Sequence, residues 1–470
     1  ECETKKDDCD ANAVCANTDG SFTCTCAFGY EGDGKTCKPE SCTVPVAKKT
    51  IQAAVDDASC AVVKVLPGTY AERVTIGRSV EIVGADEAST IVDGEGKGKV
   101  FTVTGEVTVK LHHLTVTKGA AVDHGAGVDA VPALPFGNGP KLTLEGCRVV
   151  ANDVTVSGTG QGGGVFIRNG ALTLVETAVS ENKLTVSGSL PNGYGAGVYA
   201  VGSDVIVTKS TIAANVLTMS SMGIANAFGG GLAVDLPLFG GVADPKFVLG
   251  ESTVSDNKVM VSGTAGYAQG GGVAILGVTA PVVRQSTIAN NQVQSMALTG
   301  YGLGGGLYVS SLGDPIALVV RSATIAGNSV TATLDADGGA LALDASGVTV
   351  SLGHTLVASN IGSSNFGTST QCAGATLGVE SAGYNLHSGA EFGCGWKAGT
   401  GDVSGKDPKL GNFADHGGPT KTFAIQAKTP AHEAGDPMGC KDENGKALTA
   451  DQRGSKRPVG VCDIGAFEVQ

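Results

Sequence analysis

Several things are scarce in this chain of 470 residues, and each scarcity excludes something. Charged residues make up 16% and aromatics 5%, with a single tryptophan. Sparse charge beside 42% hydrophobic residues excludes a disordered acidic chain, because there is enough apolar surface to bury. No Lys/Arg run exists and the net charge is −13, so nucleic acid is not an expected partner. No apolar run is long enough to cross a bilayer as a helix. Prolines number only 16, and the glycines lack a three-residue period, which excludes collagen. Glycine itself is abundant: 72 residues, about 15% of the chain and roughly twice average usage. Length alone allows two to four compact domains.

Cysteine placement divides the chain. Six of the 13 cysteines fall between Cys2 and Cys37; the others are Cys42, Cys60, Cys147, Cys372, Cys394, Cys440 and Cys462. Six cysteines in so short and polar a stretch mean a small module held by disulfides in an oxidising, extracellular compartment. Metal binding by CxxC pairs is the rival, but no CxxC occurs. Glu1 stands directly before Cys2 without a signal peptide, so the expectation is a mature or trimmed secreted chain.

Residues 1–38 read ECETKKDDCDANAVCANTDGSFTCTCAFGYEGDGKTCK. Spacing alone leaves 15 pairings of six cysteines open. The whole segment resembles an EGF-like domain, and that resemblance implies Cys2–Cys15, Cys9–Cys24 and Cys26–Cys37. The run from Cys15 to Cys26 further resembles the calcium-binding variant. The resemblance implies side-chain ligands from Glu1 and Asn17 and carbonyl ligands from Thr18 and Ser21, an oxygen set suited to a hard cation. The aspartate that the family places upstream has no counterpart here. An EGF-like module without metal is the alternative.

Residues 42–120 open with Thr50–Ala58, a short amphipathic helix with Thr50 as N-cap and Ile51, Ala54, Val55 and Ala58 on one face. Cys42 and Cys60 bracket it and are expected to pair. Short β-rich segments separated by glycine turns follow. The stretch TIQAAVDDASCAVVKVLPGTYAERVTIGRSVEIVGA resembles the opening of pectin-lyase-like proteins, which are right-handed parallel β-helices. The resemblance implies a helix that plugs the open end of the stack.

Residues 121–362 carry an internal repeat. Glycine-rich triplets begin at Gly125, Gly162, Gly195, Gly229, Gly270, Gly304 and Asp337. A second landmark ends at Asn152, Asn182, Asn215, Asn257, Asn291, Asn328 and Asn360. Two landmarks in phase about every 34 residues, with a period of two and many β-branched residues, predict an all-β parallel β-helix with one coil per repeat. Val165, Val198, Leu232, Val273 and Leu307 are assigned inward, stacked ~4.8 Å apart. The asparagines are expected to form a structural ladder at one corner rather than a ligand-binding row. The pattern loosely resembles repeats of chlamydial polymorphic outer membrane proteins. Cys147 shares a small inward column with Thr177, Ser210, Ser252 and Ser286 and is read as a buried thiol, not a nucleophile.

Polysaccharide-cleaving relatives of this fold carry acids and bases on outward strand positions. The outward column here reads Asp129, Phe166, Tyr199, Ala233, Ala274, Tyr308, Leu341; the next reads Val131, Arg168, Val201, Asp235, Leu276, Ser310, Leu343. Neither offers carboxylates on adjacent coils, and pectin methylesterase signatures are absent. His112, His113, Asp123, His124 and Asp129 are a candidate metal or general-base cluster, with surface residues at a coil turn as the competing reading. Phe166, Tyr199, Tyr308 and Leu341 form a candidate apolar interface strip. The long, nearly uncharged inserts after each asparagine are expected either to fold over that strip or to leave it open.

In residues 363–470 the repeat fails and a C-terminal cap is expected, with Cys372–Cys394 and Cys440–Cys462 as staples. Asp451-Gln-Arg-Gly454, Arg457-Pro458 and Asp463-Ile-Gly-Ala-Phe-Glu468 strongly resemble the choice-of-anchor Q domain of bacterial surface β-helix proteins. Ala431-His432-Glu433 departs from the family's Ala-Ile-Asp. Asp451, Arg453, Arg457, Asp463 and Glu468 are read as charge pairs tying the last strand across the stack end. No Asn-X-Ser/Thr sequon occurs, which also favours a bacterial source. The functional expectation is a secreted, non-enzymatic structural or adhesive rod, a filament or surface-layer subunit. Its expected partners are other surface proteins, itself, or cell-surface glycans, and calcium is its one expected cofactor. The alternatives are a polysaccharide lyase or hydrolase, and an ice- or crystal-surface binder.

Overall fold

The computed structural model describes residues 2, 7–236, 244–344, 347–374, 378–389, 392–458 and 460–470. The chain is an all-β parallel solenoid preceded by a small disulfide-rich module. Sheet I has ten strands, from Val74–Ile76 to Cys372–Gly374; sheet II has twelve, from Thr43–Val44 to Val379–Ser381; sheet III has twelve, from Gly68–Tyr70 to Val403–Ser404. One coil runs through Val165–Arg168 in sheet I, Ala171–Val175 in sheet II and Ala178–Ser180 in sheet III. The columns Val165, Val198, Leu232, Val273 and Leu307 stand in register and are buried in one continuous core. Each such side chain contributes roughly 1.5–3 kcal/mol by leaving water.

Each coil turns with backbone in the left-handed region. Glycine takes it at the start of every triplet, but Glu176, Lys209 and Glu251 take it between sheets II and III, and Ala151, Glu181 and Ala214 take it after sheet III. The third triplet glycine has a different cause. A Cβ on Gly164 would lie 2.8 Å from the Asn182 amide, and one on Gly197 2.8 Å from that of Asn215. The glycines therefore make room for the asparagine ladder, whose Nδ2-to-Oδ1 bonds run 2.8–2.9 Å from Asn152 through Asn360.

The inserts after the asparagines form a fourth sheet of eleven strands, here called the fin. Arms such as Lys183–Tyr194, Val216–Phe228 and Lys258–Gln269 leave the solenoid at the asparagine and return to the next glycine triplet, stacked in parallel. Leu184, Val186, Leu217, Met219, Val259 and Val261 give the fin a core of its own.

Two readings of the repeat need correction. Gly304 N donates to Asp337 O and Gly305 N to Gly338 O, so the last triplet is Gly338-Gly339-Ala340. Leu341 then pairs with Leu307 and points inward, and Ala342 stands opposite Tyr308. Leu343 is likewise inward, and Asp344 takes the outward place opposite Ser310. A register slip of one residue exchanges the two faces of a strand. At the N-terminal end the helix spans Ile51–Asp56 and leaves Ala58 exposed. Thr50 Oγ1 accepts from Ala53 N at 3.0 Å, Glu72 accepts from Ile51 N and Gln52 N, and Arg78 donates to Val55 O at 2.6 Å. Both ends of this short helix are thus satisfied by side chains.

Disulfides join Cys2–Cys15, Cys9–Cys24, Cys26–Cys37, Cys42–Cys60, Cys372–Cys394 and Cys440–Cys462. Cys372, Cys394, Phe392 and Trp396 close the C-terminal end of the main core. The remaining chain is not an end cap. It doubles back along sheet III, where Thr253 Oγ1 donates to Lys421 O, Thr287 Oγ1 to Gln452 Oε1, and Thr324 Oγ1 accepts from Ala466 N. A column of inward-free hydroxyls beside apolar Leu356 and Leu386 offers that flank both hydrogen bonds and an apolar seat.

Candidate functional site

Sheet I and the returning half of the fin meet at an angle, and the outward column of sheet I lies in that corner. Phe166, Tyr199, Tyr308 and Ala342 are at most 2% exposed there. Tyr194, Phe228 and Leu303 of the fin pack on them. Rings stack in sequence: Phe166–Tyr199 at 5.8 Å, Tyr199–Tyr194 at 5.0 Å, Tyr194–Phe228 at 5.2 Å. Of the two arrangements expected for this candidate interface strip, open or folded over by the inserts, the described residues show the second, with Tyr194, Phe228 and Leu303 of the returning arms laid against it.

Where the fin is shallow, near its first arms, the corner opens into a cleft of about 370 Å³ lined by Phe136, Arg168, Tyr194, Tyr199 and Asp235. Arg168 lies 5.3 Å over the Phe166 ring. Tyr199 Oη donates to Asp235 Oδ2 at 3.0 Å. Burial pushes Asp235 up to about 6, against the opposing Tyr199 bond, and burial also holds the Tyr199 phenol well above its ordinary range. Three coils on, Tyr308 Oη donates to Asp344 Oδ2 at 2.6 Å. Asp235 is the only carboxylate lining the cleft among the described residues. Glycosidic hydrolysis uses two, roughly 5–10 Å apart.

The histidine-containing cluster is divided. Lys99 Nζ binds Asp129 at 2.6 Å and Asp123 at 3.0 Å, and His124 Nδ1 meets Asp129 at 2.8 Å while its ring lies 4.4 Å from Phe166. His112 stands apart between Glu81 and Glu145, and His113 covers Gly146. Lys99, which sequence reading omitted, fills the place a cation would take. Cys147 is the free thiol, with Sγ 3.2 Å from Leu111 O, and burial pushes it up to about 12. The charged C-terminal residues tie that segment to itself. Arg457 Nη1 binds Glu468 at 2.6 Å, and Arg453 binds Asp451 at 2.7 Å while lying 3.6 Å over Phe467.

In the N-terminal module, Asn17 Oδ1 accepts from Cys2 N at 3.2 Å, and Thr18 pairs with Ser21 across a hairpin turn. Glu1 lies outside the described residues. The Asn17 amide oxygen and the Thr18 and Ser21 carbonyls are oxygen donors, the kind a hard cation takes. Two other clusters, around His354 and around Asp7, contain cysteines already joined in disulfides.

Hydroxyl columns exist on two faces. Thr253, Thr287 and Thr324 are buried beneath the C-terminal segment. On the fin, Ser157, Ser187, Ser220 and Ser262 align and are exposed, and beside them Thr155, Thr185 and Thr218 align before Met260 interrupts.

Comparison with known proteins bears on the first module. The EGF domain family matches residues 2–37. Over 38 residues, 8% of this chain, the sequence is 47% identical to signal peptide, CUB and EGF-like domain-containing protein 2 of Homo sapiens. It is 50% identical over 38 residues to protein 3 of that name from Mus musculus. The match spans about 4% of the length of those relatives. No solved structure matches the chain.

Proposed function

We propose that this chain is an extracellular structural or adhesive rod that acts without catalysis. An EGF module, six disulfides and a parallel solenoid are compatible with that role. The observation that carries the reading is the covered corner. The strand face on which polysaccharide-cleaving β-helices hold their acids and bases is here largely aromatic and covered by the fin over most of its length, and each of its three carboxylates has a protein partner: Asp129 meets Lys99 and His124, Asp235 meets Tyr199, and Asp344 meets Tyr308. We place the protein on a bacterial surface, among choice-of-anchor Q proteins, on the residues Asp451–Gly454 and Asp463–Glu468. Calcium in the EGF module belongs to the same reading, with Asn17 as the side chain to test: calorimetric calcium binding lost in Asn17→Ala supports it, and equal binding by both overturns it.

A second reading, a lyase or hydrolase acting on acidic polysaccharide, is favoured by one observation, the cleft that sets Arg168 beside Tyr199 and an Asp235 poised at about 6. Incubation with polygalacturonate and alginate, with and without calcium, separates the two. The rod reading expects no unsaturated or reducing ends. Turnover that Asp235→Asn abolishes, in a protein that stays folded, would replace it. Ice- or crystal-surface binding needs a wide flat hydroxyl array, and the exposed threonine column is three coils deep, about 10 Å.

A further inference from the structure

We propose that His354, Cys440 and Cys462 form a site for a thiophilic divalent cation of the zinc class, open to the cation whenever the Cys440–Cys462 disulfide is reduced. His354 stands at the turn between Val348–Gly353 of sheet II and Leu356–Ala358 of sheet III. The two cysteines belong to the C-terminal segment that doubles back over sheet III. One ring nitrogen of His354 and both Sγ atoms lie within 4.8 Å of one another, and the three residues are 6%, 1% and 0% exposed.

The histidine is the member that calls for a ligand. Neither Nδ1 nor Nε2 has a hydrogen-bond partner among the described residues. Its backbone, by contrast, is engaged on both sides: His354 N donates to Gly383 O at 3.1 Å, and His354 O accepts from Gly465 N at 2.9 Å. Tyr384 stacks on the ring at 5.5 Å and fixes its plane. A buried polar side chain left without a partner is rare, and a bound ion is one of the few things that satisfy it. A neutral imidazole offers the lone pair that a metal takes.

The donor set selects the ion. One imidazole nitrogen and two sulfurs suit zinc or cobalt(II), whereas calcium and magnesium take oxygen. The Cα atoms of Cys440 and Cys462 are 5.9 Å apart. Once reduced, their sulfurs need to part to about 3.7 Å, the edge of a tetrahedron with bonds of about 2.3 Å, which rotation of the side chains supplies. Arg457 Nη1 already lies 3.7 Å from Cys440 Sγ and favours its thiolate form. Three protein ligands leave the fourth position to water.

The chemistry balances in two steps. A dithiol reductant exchanges with the disulfide: its own thiols become a disulfide, and their two protons pass to the sulfurs of Cys440 and Cys462. Zinc then binds both thiolates and releases those two protons to solvent, with no electron moved. Chains are synthesised as thiols, so the reduced state precedes the disulfide. The two states differ in what they join. The disulfide ties the C-terminal segment to itself, whereas the cation ties that segment to the solenoid through His354.

Two forms of the full chain test this. The first is refolded under dithiothreitol and freed of it anaerobically, then titrated with cobalt(II). It takes up a tetrahedral cobalt with sulfur-to-metal charge transfer, and His354→Gln weakens that binding by about tenfold or more. Zinc raises the melting temperature of the reduced parent and leaves reduced His354→Gln unmoved, and the oxidised parent shows neither effect. The second form, Cys462→Asp, is made with the other disulfides intact and needs no refolding. It keeps Cys440 as a thiol beside His354 and a carboxylate in the third place. It binds cobalt, and the added substitution His354→Gln abolishes the binding. Equal cobalt affinity with and without His354→Gln in either form overturns the proposal. So does a Cys462→Asp chain that stays folded by circular dichroism and takes up no cobalt.

Discussion

Tyr199 and Asp235 lie 36 residues apart yet share one hydrogen bond of 3.0 Å, because the aspartate stands one coil further on and two places along the strand. Tyr308 and Asp344 repeat the relation at 2.6 Å. Neither pair requires a substrate to explain it. Tyr199→Phe strands a carboxylate that is largely buried, so it lowers stability by about 1–3 kcal/mol. Tyr308→Phe costs less, since Asp344 can turn to water. Urea unfolding of both variants checks the order; equal costs would show that burial of the acid is not the cause.

The asparagine ladder is the larger test. Asn215 accepts from Asn182 N and Nδ2 and donates to Asn257 Oδ1 and Val179 O, all at 2.9–3.0 Å and buried. Asn215→Ala leaves several of those partners unpaired and costs about 3–5 kcal/mol. Asn226→Ala, which removes one partly exposed bond to Asn192, stays within about 1 kcal/mol. Denaturation midpoints for the two variants decide it.

His354 gives the chain an acid sensitivity. It lies buried between solenoid and C-terminal segment, stacked on Tyr384 at 5.5 Å, and burial holds it down to about 4 from 6.5. Asp436 opposes that shift; Arg457, Arg321 and Lys441 reinforce it. The unfolded chain takes the proton first as pH falls. Stability from this group is whole above 6.5 and declines toward pH 4, by about 3 kcal/mol in all. The difference in melting temperature between the parent and His354→Gln, followed across that window, isolates it from Asp235 and Glu468, whose raised values act with the opposite sign.

Cys147 should stay silent toward thiol reagents in the folded chain and react once the chain unfolds, as burial and a value near 12 require. Labelling with iodoacetamide before and after guanidinium checks this. Modification of the native protein would show that the coil around Leu111 opens readily.

Most of the solenoid was legible because its repeats are chemical. Asparagine at a fixed corner and glycine beside it carry the phase, and aliphatic alternation carries the faces. What escaped had no such mark. Turns made by Glu176, Lys209 or Ala151 use ordinary residues at positive φ, which spacing does not reveal. The slip at Asp337 arose because an aspartate stands before two glycines, and one residue sufficed to move Leu341 to the wrong face. The fin was visible only as inserts, since its return is set by pairing between arms, interrupted by bulges such as that between Gly188 and Asn192. Lys99 lay 24 residues from Asp123, one coil away. Glu72 and Arg78, which hold both ends of the helix, were equally remote from it.

The C-terminal segment clasps Thr253, Thr287 and Thr324, which belong to three different coils. A stack of repeats ordinarily frays one unit at a time from its end. Here tension applied to the terminus must first strip a splint from the side, and only then can the coils beneath it yield. Mechanically, this end of the molecule answers as a single block.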